Sequence, residues 1–106
     1  MKRFSVELLP EAREDLYSSY EWGVEFWGKT KADRWLRTFY AACKKRLRQS
    51  PEACPLAPES RDLNRELRHL ILGRYRVIFV VEDRTVTILH VRGAYVGVDR
   101  SDDVDD

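Results

Sequence analysis

The sequence predicts an α+β domain: an N-terminal strand, then an antiparallel helix hairpin packed on a mainly antiparallel sheet. Three observations carry this. A short alternating segment opens the chain, two long stretches with apolar residues at helical spacing follow, and Glu66 to Gly97 reads as a three-stranded meander that completes the sheet. Helices with one apolar stripe each need a surface to cover, and an apolar sheet face is the surface at hand. At 106 residues one core suffices, so residues 1–97 form a single domain and residues 98–106 an acidic, disordered tail.

Residues Arg3 to Leu9 alternate Phe4, Val6 and Leu8 with polar neighbours, the period of a strand with one buried face. Pro10 suits a helix's first turn, where its missing N–H costs nothing, and Glu11, Glu14 and Asp15 favour that positive end. Ala12, Leu16, Tyr20, Val24 and Trp27 recur at helical spacing until Gly28 stops the helix. Thr30 to Asp33 has the form of a capping box with Asp in its last place. A second stripe then runs through Ala32, Trp35 or Leu36, Phe39, Cys43 and Leu47 to Ser50-Pro51. So short a break between two helices makes an antiparallel hairpin. Pro51 to Asn64 holds three prolines and no period; it reads as a connecting loop without chemistry.

In the meander, Leu67–Leu72, Tyr75–Val81 and Thr85–Arg92 are the strands, with Gly73 in the first turn. The middle strand is nearly all β-branched or aromatic, as expected of a strand covered on both sides. If Asp83, Arg84 and Thr85 form the second loop, Glu82 pairs with Val86 and Arg76 lies opposite Arg92. One face then carries Tyr75, Val77, Phe79, Val81, Thr87, Leu89 and Val91. The other carries Ile78, Val80, Val86 and Ile88 at one end and Arg76, His90 and Arg92 at the other. A two-residue loop would shift one strand's set across the sheet, and a bulge would move the register locally. Like charges set opposite each other are unfavourable, so the arginine end calls either for a bound anion or for nearby Glu or Asp partners.

The formal charge of +1 conceals an uneven distribution. The segment 101–106 holds four carboxylates and no base; without it 19 bases face 14 acids, a balance of +5. Residues 61–100 contain eight arginines, no lysine and five acids, a bias suited to bidentate recognition of phosphate or carboxylate. Cys43 and Cys54 make no disulfide framework, and no Cys/His pair has metal-ligand spacing. Cys43 falls on the second helix's stripe and reads as a small buried hydrophobe. No apolar run has transmembrane length and Met1-Lys2-Arg3 leads into no signal-peptide core, so a cytoplasmic protein is expected. All three tryptophans lie in the hairpin. Trp22 sits off the main stripe and, with Phe26, is the candidate exposed partner surface.

The order strand, helix, helix, loop and three strands, together with Arg68–Gly73, Tyr75-Arg76-Val77-Ile78-Phe79 and Ile88-Leu89-His90-Val91-Arg92-Gly93, resembles the RelE/ParE superfamily of bacterial toxins. The resemblance spans roughly residues 3–97. It implies the toxin of a type II toxin–antitoxin module of the plasmid-stabilisation kind, needing no cofactor and neutralised by a cognate antitoxin. Within the RelE-like branch it implies a ribosome-dependent messenger RNA endoribonuclease. There Arg76, Arg92, His90 and Tyr95 would be catalytic: guanidiniums stabilise developing phosphate charge, and an imidazole can move a proton near neutral pH. His69 has a weaker claim to that role. Within the ParE-like branch it implies a protein that binds DNA gyrase and stalls it on cut DNA, with no bond-breaking by the toxin. The early strand offers Arg68 and His69 where the nuclease branch carries lysines, and Gly93-Ala94-Tyr95 stands where that branch ends differently. The long aromatic hairpin and the Leu89–Gly93 ending resemble the ParE-like branch at least as well, and the reading leans there. In either branch Arg68, Arg74, Arg76 and Arg92 are the candidate antitoxin- or anion-binding residues. A third reading is an inactive relative acting as an interaction module.

Overall fold

A computed structural model describes residues 3–63 and 65–93, leaving the expected tail and Tyr95 outside the described residues. The chain runs β1 (Ser5–Leu8), α1 (Pro10–Trp27), α2 (Lys29–Gln49), a 3₁₀ turn (Pro51–Ala53), α3 (Glu59–Leu63), β2 (Arg68–Leu72), β3 (Tyr75–Glu82) and β4 (Thr85–Gly93). The four strands form one sheet in the order β1-β4-β3-β2. β1 runs parallel to β4, with Val6 beside Val86, while the two other pairings are antiparallel. The expected α+β architecture is therefore present, with β1 as the one parallel strand.

The hairpin turns at Gly28 alone, whose φ of +94° is a conformation that a side chain would resist. The expected capping box does not form, because α2 already begins at Lys29 and no side chain caps it. Asp33 acts elsewhere: it accepts hydrogen bonds from Tyr20 Oη of α1 (2.5 Å) and from Lys29 Nζ (2.9 Å). Those bonds hold its carboxyl below the usual carboxylate range, the Tyr20 hydroxyl contributing most. Gly23 is buried in α1, and a Cβ there would be crowded, lying 3.0 Å from the Trp27 ring and 3.4 Å from Ala32 Cβ.

One sheet face meets the helices. Ala12 and Leu16 of α1 and Phe39, Cys43 and Leu47 of α2 pack on Leu70, Val77, Phe79, Val86, Ile88 and Val91. Burial pushes the Cys43 thiol up to about 12, as befits an inert apolar residue. The other face carries a smaller cluster in which Ala57 and Leu67 cover Ile78 and Val80, with Leu89 against it. Residues 51–67 are thus more than a connector. They cross to the far face, pair Leu56 with Arg68 in an isolated bridge, and form α3.

Two features of the meander differ from expectation, and one cause explains both. The second loop has two residues, Asp83 and Arg84, so Glu82 pairs with Thr85 and Val81 with Val86. Asp83 takes the left-handed conformation the turn needs, φ 57°, which Asp tolerates better than most residues. The register then shifts between Ile78 and Phe79: Ile78 faces His90 but Phe79 faces Ile88. The extra residue is Leu89, a β-bulge. Arg76 consequently does lie opposite Arg92. Before the bulge, however, β4 turns Val86 and Ile88 to the helices and leaves Leu89 on the far face, the reverse of the expected assignment.

Candidate functional site

Arg76 is the centre of the arginine end of the far face. A guanidinium opposite another needs an anion, and the chain supplies one from α3. Arg76 donates to both carboxylate oxygens of Glu59, Nη2 to Oε2 at 2.5 Å and Nη1 to Oε1 at 3.2 Å. This fork-on-fork geometry pairs the two planes in two parallel hydrogen bonds. The bonds from Arg76 hold the Glu59 carboxyl down at about 2 against the opposing effect of burial. On the next strand, His69 Nδ1 lies 2.9 Å from Arg76 Nη1. Arginine has no acceptor, so His69 must accept through Nδ1 and carry its proton on Nε2. Burial, then the neighbouring Arg76 charge, lower the His69 pKa and keep the ring neutral at pH 7.

The imidazole beside Arg76 is therefore His69 and not His90. His90 belongs to a different constellation at the free part of the β4 edge. β1 pairs with β4 only as far as Ile88, so the outward N–H of Val91 has no strand partner there. Asp15 of α1 takes that place: Oδ2 accepts from the Val91 backbone N–H at 2.9 Å and lies 3.2 Å from His90 Nδ1. The carboxylate can only accept, so His90 donates from Nδ1. Helix α1 in this way fastens the strand end that carries Arg92.

The remaining arginines scatter. Arg92 is exposed and forms no ion pair among the described residues. Arg68 donates from Nη1 to the Cys54 carbonyl at 2.6 Å and approaches Glu66 at 4.0 Å. Arg74 is exposed in the β2–β3 turn beside Gly73. Of the four expected anion-binding arginines, the sheet brings Arg76 and Arg92 together and places the other two apart.

A second surface lies at the turn end of the hairpin, beside Gly28. Trp22 (51% exposed), Phe26 (62%) and Trp27 (43%) form an aromatic cluster, with Trp22 packed on Phe26 at 4.6 Å and edge-on to Trp27 at 5.4 Å. The expected pair Trp22 and Phe26 is thus exposed and mutually packed. Trp27 joins it, although its position on the α1 stripe pointed inward. Trp22 and Trp27 also line a groove of about 1000 Å³ together with Trp35, Tyr75, Arg34 and Arg74. Aromatic walls with a few cations suit an apolar protein segment with acidic residues.

Sequence reasoning missed Glu59 and Asp15. Glu59 sits in a segment with no period, and only the pairing of Arg76 with Arg92 called for an acid near them. Asp15 had a local signal: it follows buried Ala12 by three and precedes buried Leu16 by one, so it borders the packed stripe of α1. No group of described residues has the make-up of a metal site, and none of the described helices is long and apolar enough to cross a membrane.

The family model described as "ParE toxin of type II toxin-antitoxin system, parDE" matches residues 6–94. Among solved structures, the chromosomal ParDE toxin–antitoxin system of P. aeruginosa matches with TM-score 0.69 and 21% identity, over 86% of this chain and 96% of that one. The RelBE2 toxin–antitoxin complex of Mycobacterium tuberculosis matches with TM-score 0.62 and 23% identity, over 88% and 93%. No curated protein matches the sequence significantly.

Proposed function

Because this chain belongs to the ParE toxin family of type II toxin–antitoxin systems, within the RelE/ParE superfamily, we propose that it arrests growth by poisoning DNA gyrase and that a cognate antitoxin neutralises it. The observation that carries the choice of gyrase is the wiring of the basic residues. A phosphate-cleaving site needs its guanidiniums and its proton carrier converging on one empty position. Here Arg76 is engaged by Glu59 and His69, while His90 is engaged by Asp15 at the strand edge. Arg76 and His90 thus act as structural residues that tie α3 and α1 to the sheet. The gyrase-contacting surface is the hairpin end around Trp22 and Phe26, where exposed aromatics supply the anchors a protein interface needs.

The solved relatives are toxin–antitoxin complexes, and that supports an antitoxin for this chain. Its neutralising segment contacts the arginine face, where Arg92 stands exposed beside Arg76. Arg76→Ala and Arg92→Ala, each titrated with the antitoxin, are expected to weaken binding; unchanged affinity for both refutes the assignment. One fact favours the nuclease alternative: an exposed Arg92 directly opposite Arg76 is the pair a messenger-cleaving relative would use. The protein added to translating ribosomes, with messenger 5′ ends mapped, and in parallel to a gyrase supercoiling reaction, separates the readings. Inhibited supercoiling with intact messenger is expected. Codon-positioned cuts overturn the gyrase assignment, and failure of both reactions without growth arrest on expression leaves an interaction module.

A further inference from the structure

Helix α2 carries eight cations (Lys29, Lys31, Arg34, Arg37, Lys44, Lys45, Arg46 and Arg48) and a single acid, Asp33, already bound by Tyr20 and Lys29. Helix α1 carries five acids and one base, so the chain's charge of +1 hides two strongly opposed helices. At 100° per residue Arg34, Arg37, Lys44, Lys45 and Arg48 fall on one stripe opposite the buried Ala32, Phe39, Cys43 and Leu47. Lys44 is half-buried, its ammonium 5.3 Å from the centre of the Tyr40 ring; the other four are exposed. None of the five takes part in an ion pair among the described residues. Arg3, just ahead of β1, extends the stripe: it lines a shallow concavity of about 340 Å³ with Lys44, Lys45 and Arg48, and no carboxylate among the described residues lines it.

We propose that this outer face of α2 binds the phosphate backbone of duplex nucleic acid without reading its sequence. An acidic protein would also be attracted, but a stable protein interface needs apolar anchors, and the only apolar residue on the stripe is Ala41. A single-strand binder needs exposed aromatic platforms, and Tyr40 lies half-buried beside Lys44. What remains is a linear array of cations about 21 Å long, the rise of about six base pairs along one strand. The unpaired charges require no internal bond to be broken before phosphates replace their counterions. From Arg37 to Arg48 this surface lies apart from both the arginine face of the sheet and the hairpin end, which it meets only at Arg34, and it is independent of whether gyrase or the ribosome is the target.

Fluorescence anisotropy with mixed-sequence 20-base-pair DNA and RNA duplexes, from 50 to 200 mM salt, tests it. With about four phosphates neutralised, log K should fall against log salt with slope about −3.6, roughly a hundredfold loss across that range. Arg37→Gln, Lys45→Gln and Arg48→Gln together should cut affinity at least tenfold and flatten the slope by about 2.7. A control that removes three cations elsewhere, Arg13→Gln with Arg61→Gln and Arg65→Gln, should change affinity less than threefold. Binding to either duplex supports the proposal and names the source of phosphate. No binding at 50 mM salt, a preference for single strands, or equal losses in the two triple variants overturns it.

Discussion

Replacing Glu59 by Gln probes the pair on which the arginine end of the sheet is organised. The substitution keeps the shape and one acceptor oxygen but removes the charge that faces Arg76. The two side chains are 42% and 29% exposed, so solvent screens much of their attraction. The bidentate geometry sets the pair above an ordinary surface contact, and a loss of about 1 kcal/mol at pH 7 is expected. Its pH dependence follows from the carboxyl, whose folded pKa of about 2 lies below its ordinary 4.5. A depressed carboxylate contributes stability that is fully present above about pH 4.5 and lost as pH falls towards about 2. Urea unfolding of the parent and Glu59→Gln at pH 7, 5, 4 and 3 should therefore show a gap in midpoint that is constant down to pH 5 and narrows below it. A gap that is absent at pH 7, or that stays the same at pH 3, would refute the reasoning.

Three further substitutions address the other contacts. Asp15→Ala leaves the Val91 N–H without its acceptor and should cost about 1–3 kcal/mol, with faster hydrogen exchange at Val91 as the specific sign; unchanged exchange there would contradict the edge-fastening role. Trp22→Ala, at a side chain half in solvent, should shift the thermal midpoint by no more than a few degrees yet abolish gyrase inhibition; retained inhibition would remove the hairpin end from the interface. Phe79→Ala empties the centre of the core, where Phe79 is fully buried, and should cost about 3–5 kcal/mol in denaturant unfolding.

The sequence made most of the fold legible because its periods were clean. The stripe from Ala32 to Leu47 named four buried residues of α2 without error, and the β-branched run of β3 announced a strand covered on both sides. The same run explains the misplacement on β4. With Ile88 and Leu89 both apolar and both sheet faces buried, no alternation marked which residue was extra, so the bulge at Leu89 had no local signature. The candidate site was half legible. The pairing of Arg76 with Arg92 was expected from a three-residue loop and arises instead from a two-residue loop offset by the bulge at Leu89, whereas Glu59 reaches Arg76 only through the path of residues 51–67 across the far face. That path depends on burying Ala57 and Leu67 on Ile78 and Val80, a tertiary preference with no period to read. The capping box failed because α2 starts at Lys29, which puts Thr30 inside the helix, and Asp33 instead accepts from Tyr20, thirteen residues away, and from Lys29.

The most direct measurement is the trapping of cut DNA on gyrase. Purified protein is titrated into gyrase with supercoiled plasmid, the reaction is stopped with detergent and protease, and the linear product is counted. Linear plasmid that rises with the protein and needs gyrase, and that the Arg76→Lys, His90→Gln and Arg92→Ala variants still produce, is the result expected of a toxin whose sheet residues cleave no phosphate bond. No linear plasmid at any concentration, with growth arrest lost in those same variants, would contradict it.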